Sequence, residues 1–284
     1  MKISKIIQSL LLLPVVLLAS CINDNNDDCL SDNLILHFSY DNFPDHINRV
    51  NVSVFDLSGV VVGNKQIDKS DLLNSQSTVF ALPNGVYTAV CWGNAFDNTK
   101  IAVASLTESR VSHPNYNTDA VIATEDSLYF GRLDGIAVKE GIRIEETVNF
   151  IPAHITINIT INGLTGAALR ISNLNELYDF HQNAISPITS TFYPVCRTSG
   201  NTTTATTDVY RFTKDTPIII DVFNGDGVLA SVALDEYLSS HPSLVIEDGK
   251  ECTIDLVIGF AVDHSLTITV NGWEGVSTTP VLPV

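Results

Sequence analysis

The stretch from Ile155 to Asn162 leaves little choice of fold. Ile155, Ile157, Ile159 and Ile161 alternate strictly with Thr156, Asn158, Thr160 and Asn162. A period of two puts all four isoleucines on one face of an extended chain, so the segment is a half-buried β-strand. A helix would scatter the same residues around its circumference. Gly163 ends the run. The period recurs elsewhere. Leu34, Leu36, Phe38 and Tyr40 share a face, with Ile35, His37 and Ser39 opposite; Val50, Val52 and Val54 alternate with Asn51 and Ser53. Cys252, Ile254, Leu256 and Ile258 share a face, as do Leu266, Ile268 and Val270. Turn residues punctuate these runs at Asp56–Gly59, Pro83–Gly85, Asn224–Gly227 and Asn271-Gly272. Short strands between regular turns predict sandwiches.

Further strands are expected at Val60–Val62, Val86–Trp92, Leu128–Gly131, Gly135–Gly141, Thr147–Ile151, Leu169–Ile171, Val209–Phe212 and Ile218–Phe223. Leu234 to Ser240 is the one convincing helical piece. Asn94 to Pro114 reads as irregular connection, and the Thr-rich stretch Thr198 to Asp208 as a mobile loop. The expectation is an all-β chain of two tandem sandwiches, residues 30–147 and 148–284, each opening on a clean alternating strand.

The N-terminus has a different character. Lys2 and Lys5 precede an apolar run, Leu10 to Leu18, broken only by Pro14. That is the layout of a secretory signal, and the run is about half of the roughly 20 residues a membrane-spanning helix needs. Its ending, Leu18-Ala19-Ser20-Cys21, resembles the lipobox of bacterial lipoproteins. The resemblance implies a signal peptide of residues 1–20, cleavage before Cys21, and acylation of its thiol and its freed amine. Several acyl chains give stable anchoring where one holds only marginally. Residues 21–29 then form a lipidated acidic tether. Ile22-Asn23-Asp24-Asn25-Asn26-Asp27-Asp28 has little to bury, and it resembles the export signal of surface-exposed lipoproteins of the Bacteroidota.

Charge narrows the partners. The formal net charge is −17; loss of the leader removes two lysines and no acid, which makes it −19. Such a body has no electrostatic footprint for nucleic acid. It is also repelled by anionic lipid, so attachment falls to the acyl chains. Beyond Cys21, the remaining cysteines are Cys29, Cys91, Cys196 and Cys252. An even number in an exported chain is compatible with disulfides. Three pairings are possible; sequence order favours Cys29 with Cys91 and Cys196 with Cys252, and buried free thiols are the alternative.

Catalytic chemistry is hard to find. The seven histidines lack metal-ligand spacing, and there is no His-Glu-x-x-His, nucleophile elbow or phosphate-binding glycine loop. His37 and His154 read as structural or solvent-facing. Cys91 beside Trp92 has no basic neighbour in sequence to lower its thiol pKa. Trp92, Trp273 and the tyrosines could stack sugars, but aromatics at strand positions are more often core. No catalytic residue, cofactor or metal ligand is expected.

Several segments together resemble one family. They are the lipobox, Asp28-Cys29, Leu34 to Tyr40, and Val50 to Gly59. Leu82-Pro83-Asn84-Gly85-Val86-Tyr87 follows, leading into Trp92-Gly93-Asn94. Then come Leu128-Tyr129-Phe130-Gly131, Ala153 to Leu164, and the Leu234–Leu238 helix. In this order they resemble the fimbrillin-associated anchor lipoproteins of the Bacteroidota, found at the base of type V fimbriae. The resemblance implies two sandwiches of transthyretin-like topology in a non-catalytic protein. It implies an outer-membrane lipoprotein, exposed on the cell surface, that tethers a fimbrillin-like shaft subunit and limits fimbrial length. Family members often carry a basic residue where His154 stands. Some relatives are regarded as polysaccharide-binding, so a surface glycan-binding lipoprotein is the alternative. The family donates C-terminal strands to neighbouring subunits, which makes residues 274–284 a candidate docking segment.

Overall fold

The computed structural model describes residues 32–139, 141–185, 189–225, 227–240, 245–261 and 266–271. Cys21, Cys29, Asp24, Asp27, Asp28, Trp273 and the 274–284 tail lie outside them. The first unit contains β1 (Leu34–Ser39), α1 (Phe43–His46), β2 (Arg49–Asp56), β3 (Val61–Asp68), α2 (Lys69–Asn74), β4 (Ser77–Phe80) and β5 (Gly85–Gly93). Two short strands follow, β6 (Lys100–Ala102) and β7 (Arg110–Ser112), then two long ones, β8 (Tyr129–Val138) and β9 (Ile144–Pro152). Seven strands form one sheet in the order β3-β2-β5-β8-β9-β1-β4. Its two ends come together. Lys65 on β3 donates to the Val79 carbonyl of β4 at 2.5 Å and lies 4.8 Å over the Phe80 ring. Gly63 lets β3 come this close, because a Cβ there would stand 2.8 Å from that ring. Leu34, Leu36, Val50, Val52, Val54, Ala89, Cys91 and Val148 fill the space enclosed.

The second unit contains β10 (His154–Asn162), β11 (Ala168–Asn175), β12 (Leu177–Asp179), β13 (Thr189–Phe192), β14 (Arg197–Ser199) and β15 (Thr202–Tyr210). It continues with β16 (Ile219–Asn224), β17 (Gly227–Ala233), α3 (Leu234–Ser240), β18 (Thr253–Phe260) and β19 (Leu266–Asn271). A five-stranded sheet, β14-β15-β10-β18-β19, faces a four-stranded one, β13-β11-β16-β17. The four isoleucines of β10 are buried between them against Leu169, Ile171, Ile220 and Val222. Burying each contributes roughly 1.5–3 kcal/mol. The polar face of β10 is tied across the sheet: Asn158 donates to Asp255 at 2.8 Å and accepts from Thr206 at 2.8 Å. Gly163 is required where it stands, since its φ is +81° and a Cβ would lie 2.0 Å from the Phe260 carbonyl.

The all-β expectation holds, with corrections. The Thr-rich stretch is no loop but most of the β14–β15 hairpin, and β15 is paired with β10 along its whole length. Threonine is β-branched and suits a pleated surface. Thr203, Ala205, Thr207 and Val209 all point inward and are buried. Two short helices, α1 and α2, join the expected α3; four and six residues are too few for a helical period to show. Asn94 to Pro114 is not wholly irregular, since it supplies β6 and β7. Among the described residues no helix is long and apolar enough to cross a membrane.

The two units share structure. β9 belongs to the first sheet through Pro152 and β10 to the second from His154, so the chain crosses at Ala153. β12 of the second unit pairs with β7 of the first. Phe55, Val90, Trp92, Leu128 and Phe130 meet Ala153, Tyr178, Phe180 and Tyr210 in one buried cluster. The segment before β8 also reaches across: the Glu125 N–H donates to the Asp208 carbonyl at 2.8 Å, and Ile122 joins the second core.

Candidate functional site

A cleft of about 600 Å³ opens at this junction. Asp45, His46, Asn94, Phe96, Asp126 and Tyr129 line it from the first unit, and His154, Glu251 and Thr253 from the second. Glu251, just before β18, gathers the polar groups. Its Oε1 accepts from the Tyr40 hydroxyl at 2.6 Å and from the Tyr129 hydroxyl at 2.7 Å. His46 Nδ1 stands 3.8 Å from Oε1, and His154 Nε2 stands 3.8 Å from Oε2. His154 opens β10 and is buried. Its Nδ1 lies 2.9 Å from the Leu128 carbonyl, which can only accept, so Nδ1 carries a proton and Nε2 faces the carboxylate. Burial, and then Glu251, push the Tyr40 and Tyr129 phenols well above their usual range. Both therefore stay protonated as donors. The arrangement is a carboxylate of one unit held by hydroxyls of the other.

The residues singled out in the sequence fall elsewhere or play other parts. Cys91, Cys196 and Cys252 carry free thiols among the described residues, and Cys29 lies outside them. Cys91 faces inward from β5 and is wholly buried, which pushes its thiol far up and removes it as a nucleophile. Cys196 and Cys252 are half-buried at the rim of the second core, and burial raises both. Trp92 is core, its ring 4.9 Å from Phe130, and offers no face to a sugar. His37 is solvent-facing, 3.1 Å from Glu145. His154 is the exception that reaches the cleft. Tyr40, Tyr129 and Glu251 carried no local signal, since the residues that meet are 211 and 122 positions apart. Among the described residues no group of three or more His, Cys, Asp or Glu side chains could hold a metal ion.

Two fused β-sandwiches, locked by a shared core and a polar junction, define a two-domain all-β protein. The chain belongs to the family of fimbrillin-A associated anchor proteins Mfa1 and Mfa2, whose family model matches residues 26–279. Membership associates it with the cell envelope. No curated protein matches. Among solved structures, the chain is similar to a candidate polysaccharide-binding protein of Bacteroides thetaiotaomicron, with a TM-score of 0.72 and 16% identity over 88% of this chain and 99% of that one. It is similar to a candidate adhesin of the same species, with a TM-score of 0.69 and 15% identity over 85% and 96%. The fimbrial anchor protein Mfa2 of Porphyromonas gingivalis matches with a TM-score of 0.66 and 14% identity over 84% and 97%. At these identities the likenesses establish the fold.

Proposed function

We propose that this chain is a non-catalytic outer-membrane lipoprotein that anchors a fimbria at the cell surface and limits its length. The observation that carries the reading is membership of an anchor family over residues 26–279, directly behind a leader ending in Leu18-Ala19-Ser20-Cys21. Acyl chains on Cys21 hold the protein, and the acidic tether of residues 21–29 joins it to β1. The partner is a fimbrillin-like shaft subunit. Strand addition is the mode that suits an all-β adaptor, because an unpaired sheet edge offers a row of backbone donors and acceptors. The closed first unit stands next to the tether, and the second carries the docking edges. No cofactor is called for. The alternative, a glycan-binding surface lipoprotein, draws on the likeness to the candidate polysaccharide-binding protein and ranks second, because Trp92 is buried. The experiment is Cys21→Ser. Variant cells should release the protein from the outer-membrane fraction and shed their fimbriae into the medium. A variant that still sediments with outer membrane after a high-salt wash would contradict lipid anchoring. A wild-type protein that retains glycan but no shaft subunit would favour the alternative.

A further inference from the structure

We infer that the end of the first sandwich at which the chain enters β1 lies against the membrane, with its exposed apolar loops in contact with lipid. The inference rests on acylation of Cys21. Ten residues, 22–31, separate Cys21 from the first described residue, and ten residues span at most about 35 Å. The chain then joins the sheet at Asn33, whose N–H donates to the Phe80 carbonyl at 3.0 Å and whose carbonyl accepts from the Ile144 N–H at 2.7 Å. The strand registers bring three loops to the same end. Leu34 pairs with both Phe80 and Ile144, which sets the β4–β5 and β8–β9 loops beside the entry. Gly85 pairs with Val138, and Asp56 with Tyr87, which adds the β2–β3 turn. From this end β5 and β9 run to the other, where β9 passes into β10 and the Glu251 cleft opens.

Turns are ordinarily polar, and these are not. Leu57 is 86% exposed at the β2–β3 turn, and Val60, Val61 and Val62 are exposed behind it. Val86 is exposed at the start of β5, and Ile142 in the β8–β9 loop. Polar bonds hold the turn in shape. The Asp56 carboxylate accepts from the Ser58 and Val60 N–H groups, both at 2.9 Å, and the Leu106 N–H donates to the Gly59 carbonyl at 2.8 Å. The apolar side chains are therefore left to an outside partner, and a group of this kind marks a protein or a membrane contact. Two observations select lipid. The tether brings this end, and not the opposite one, to the bilayer first. The charges also suit a headgroup layer: Lys139 and Arg143 stand exposed on either side of Ile142, although Arg143 also meets Glu145 at 3.3 Å. Such side chains lay their stems on apolar surface and leave the charge among phosphates. The acyl chains hold the protein, and this face decides which end of it meets the lipid and turns the Glu251 cleft away from the membrane.

The test places a tryptophan at each end of the first unit in the full mature chain. Leu57→Trp reports on the β2–β3 turn. Leu73→Trp, 62% exposed on α2 at the opposite end, is the control. Both positions are exposed, so neither change disturbs a core. The proteins are reconstituted into phosphatidylcholine vesicles with and without bromine on the acyl chains, and the added emission is read by difference from the parent protein. Brominated lipid should quench Leu57→Trp at least about twofold, as expected of a side chain at the headgroup and acyl boundary, and leave Leu73→Trp unchanged. Acylation is read separately, from the mass of the N-terminal peptide and from flotation with the vesicles. Acylated protein that floats without quenching at residue 57, or with equal quenching at both positions, overturns the inference and leaves the anchoring reading standing. Protein without acyl chains overturns the anchoring reading, and with it the reason for placing this end at the lipid. Leu57→Trp emission that shifts with added shaft subunit and not with vesicles gives the face to that subunit and overturns the inference equally.

Discussion

In the first unit the outermost strands, β3 and β4, face each other; in the second, β14 and β17 end their sheets with no further strand among the described residues. The seam of the first unit is made by side chains: Lys65 reaches the Val79 carbonyl, and Gly63 clears the Phe80 ring. No comparable seam ties β14 to β17 in the structure described. β17 instead shows Val228 at 43% and Leu229 at 37% exposure, with Val228 paired to Phe223 of β16. An unpaired apolar edge is a liability unless it is covered or used. On the proposed anchoring role, the difference assigns the acceptance of a partner strand to the second half of the chain. The half that begins at β1 is the one closed on itself.

The comparison presumes that the halves act as one body, and the largest expected effect tests that. Phe180 of the second unit is wholly buried between Phe55 and Trp92 of the first, at ring distances of 5.9 and 6.3 Å. Phe180→Ala should cost about 3–5 kcal/mol and split one urea transition into two. A single transition at an unchanged midpoint would show that the halves are not coupled through this cluster. A smaller effect should be confined to the closed half. Gly63→Val drives a side chain into Phe80 and should cost about 1–3 kcal/mol. Hydrogen exchange should speed up in β3 and β4 and stay unchanged in β16 and β17; protection lost in both halves would deny that the seam is local. The smallest effect on stability should come from the open edge. Val228→Lys and Leu229→Lys are surface changes, each expected within about 0.5 kcal/mol of wild type. A cooperative melt displaced by more than a few degrees would mean that this edge is already covered by structure.

What the sequence made legible follows the same physics. β1, β2, β10 and β18 announce themselves because one face meets a core and the other meets water, so isoleucine or valine alternates with asparagine or threonine. β15 hid because its inward face is Thr203, Ala205, Thr207 and Val209. The buried Thr207 hydroxyl is satisfied by the Ala123 carbonyl of the other unit at 3.1 Å and the Asp208 carbonyl at 3.3 Å. β8 looked like two pieces because of Gly131 and Gly135. A Cβ at Gly131 would stand 2.5 Å from Val148, and Gly135 takes φ +76° where the register with β5 shifts between Tyr87 and Ala89. Both glycines serve one continuous strand. Cysteine number and compartment say nothing about facing; only the fold shows that Cys91 points into the first core. The junction was illegible throughout. Glu125, Glu176 and Glu251 look like any other acids in an acidic chain, and only the fold buries the first two and brings Tyr40 and Tyr129 to the third.

The proposed division of the chain into a closed, tethered half and an open, docking half is tested most directly by counting fimbriae retained on cells. Val228→Lys with Leu229→Lys alters the open edge of β17. Leu57→Lys, at the β2–β3 turn of the first unit and 86% exposed, is the matched control. Both proteins should fold and reach the outer membrane in equal amount. Cells with the β17 variant should shed fimbriae into the medium, and cells with Leu57→Lys should retain them as wild type does. Retention by the β17 variant together with shedding by the Leu57 variant would contradict the account.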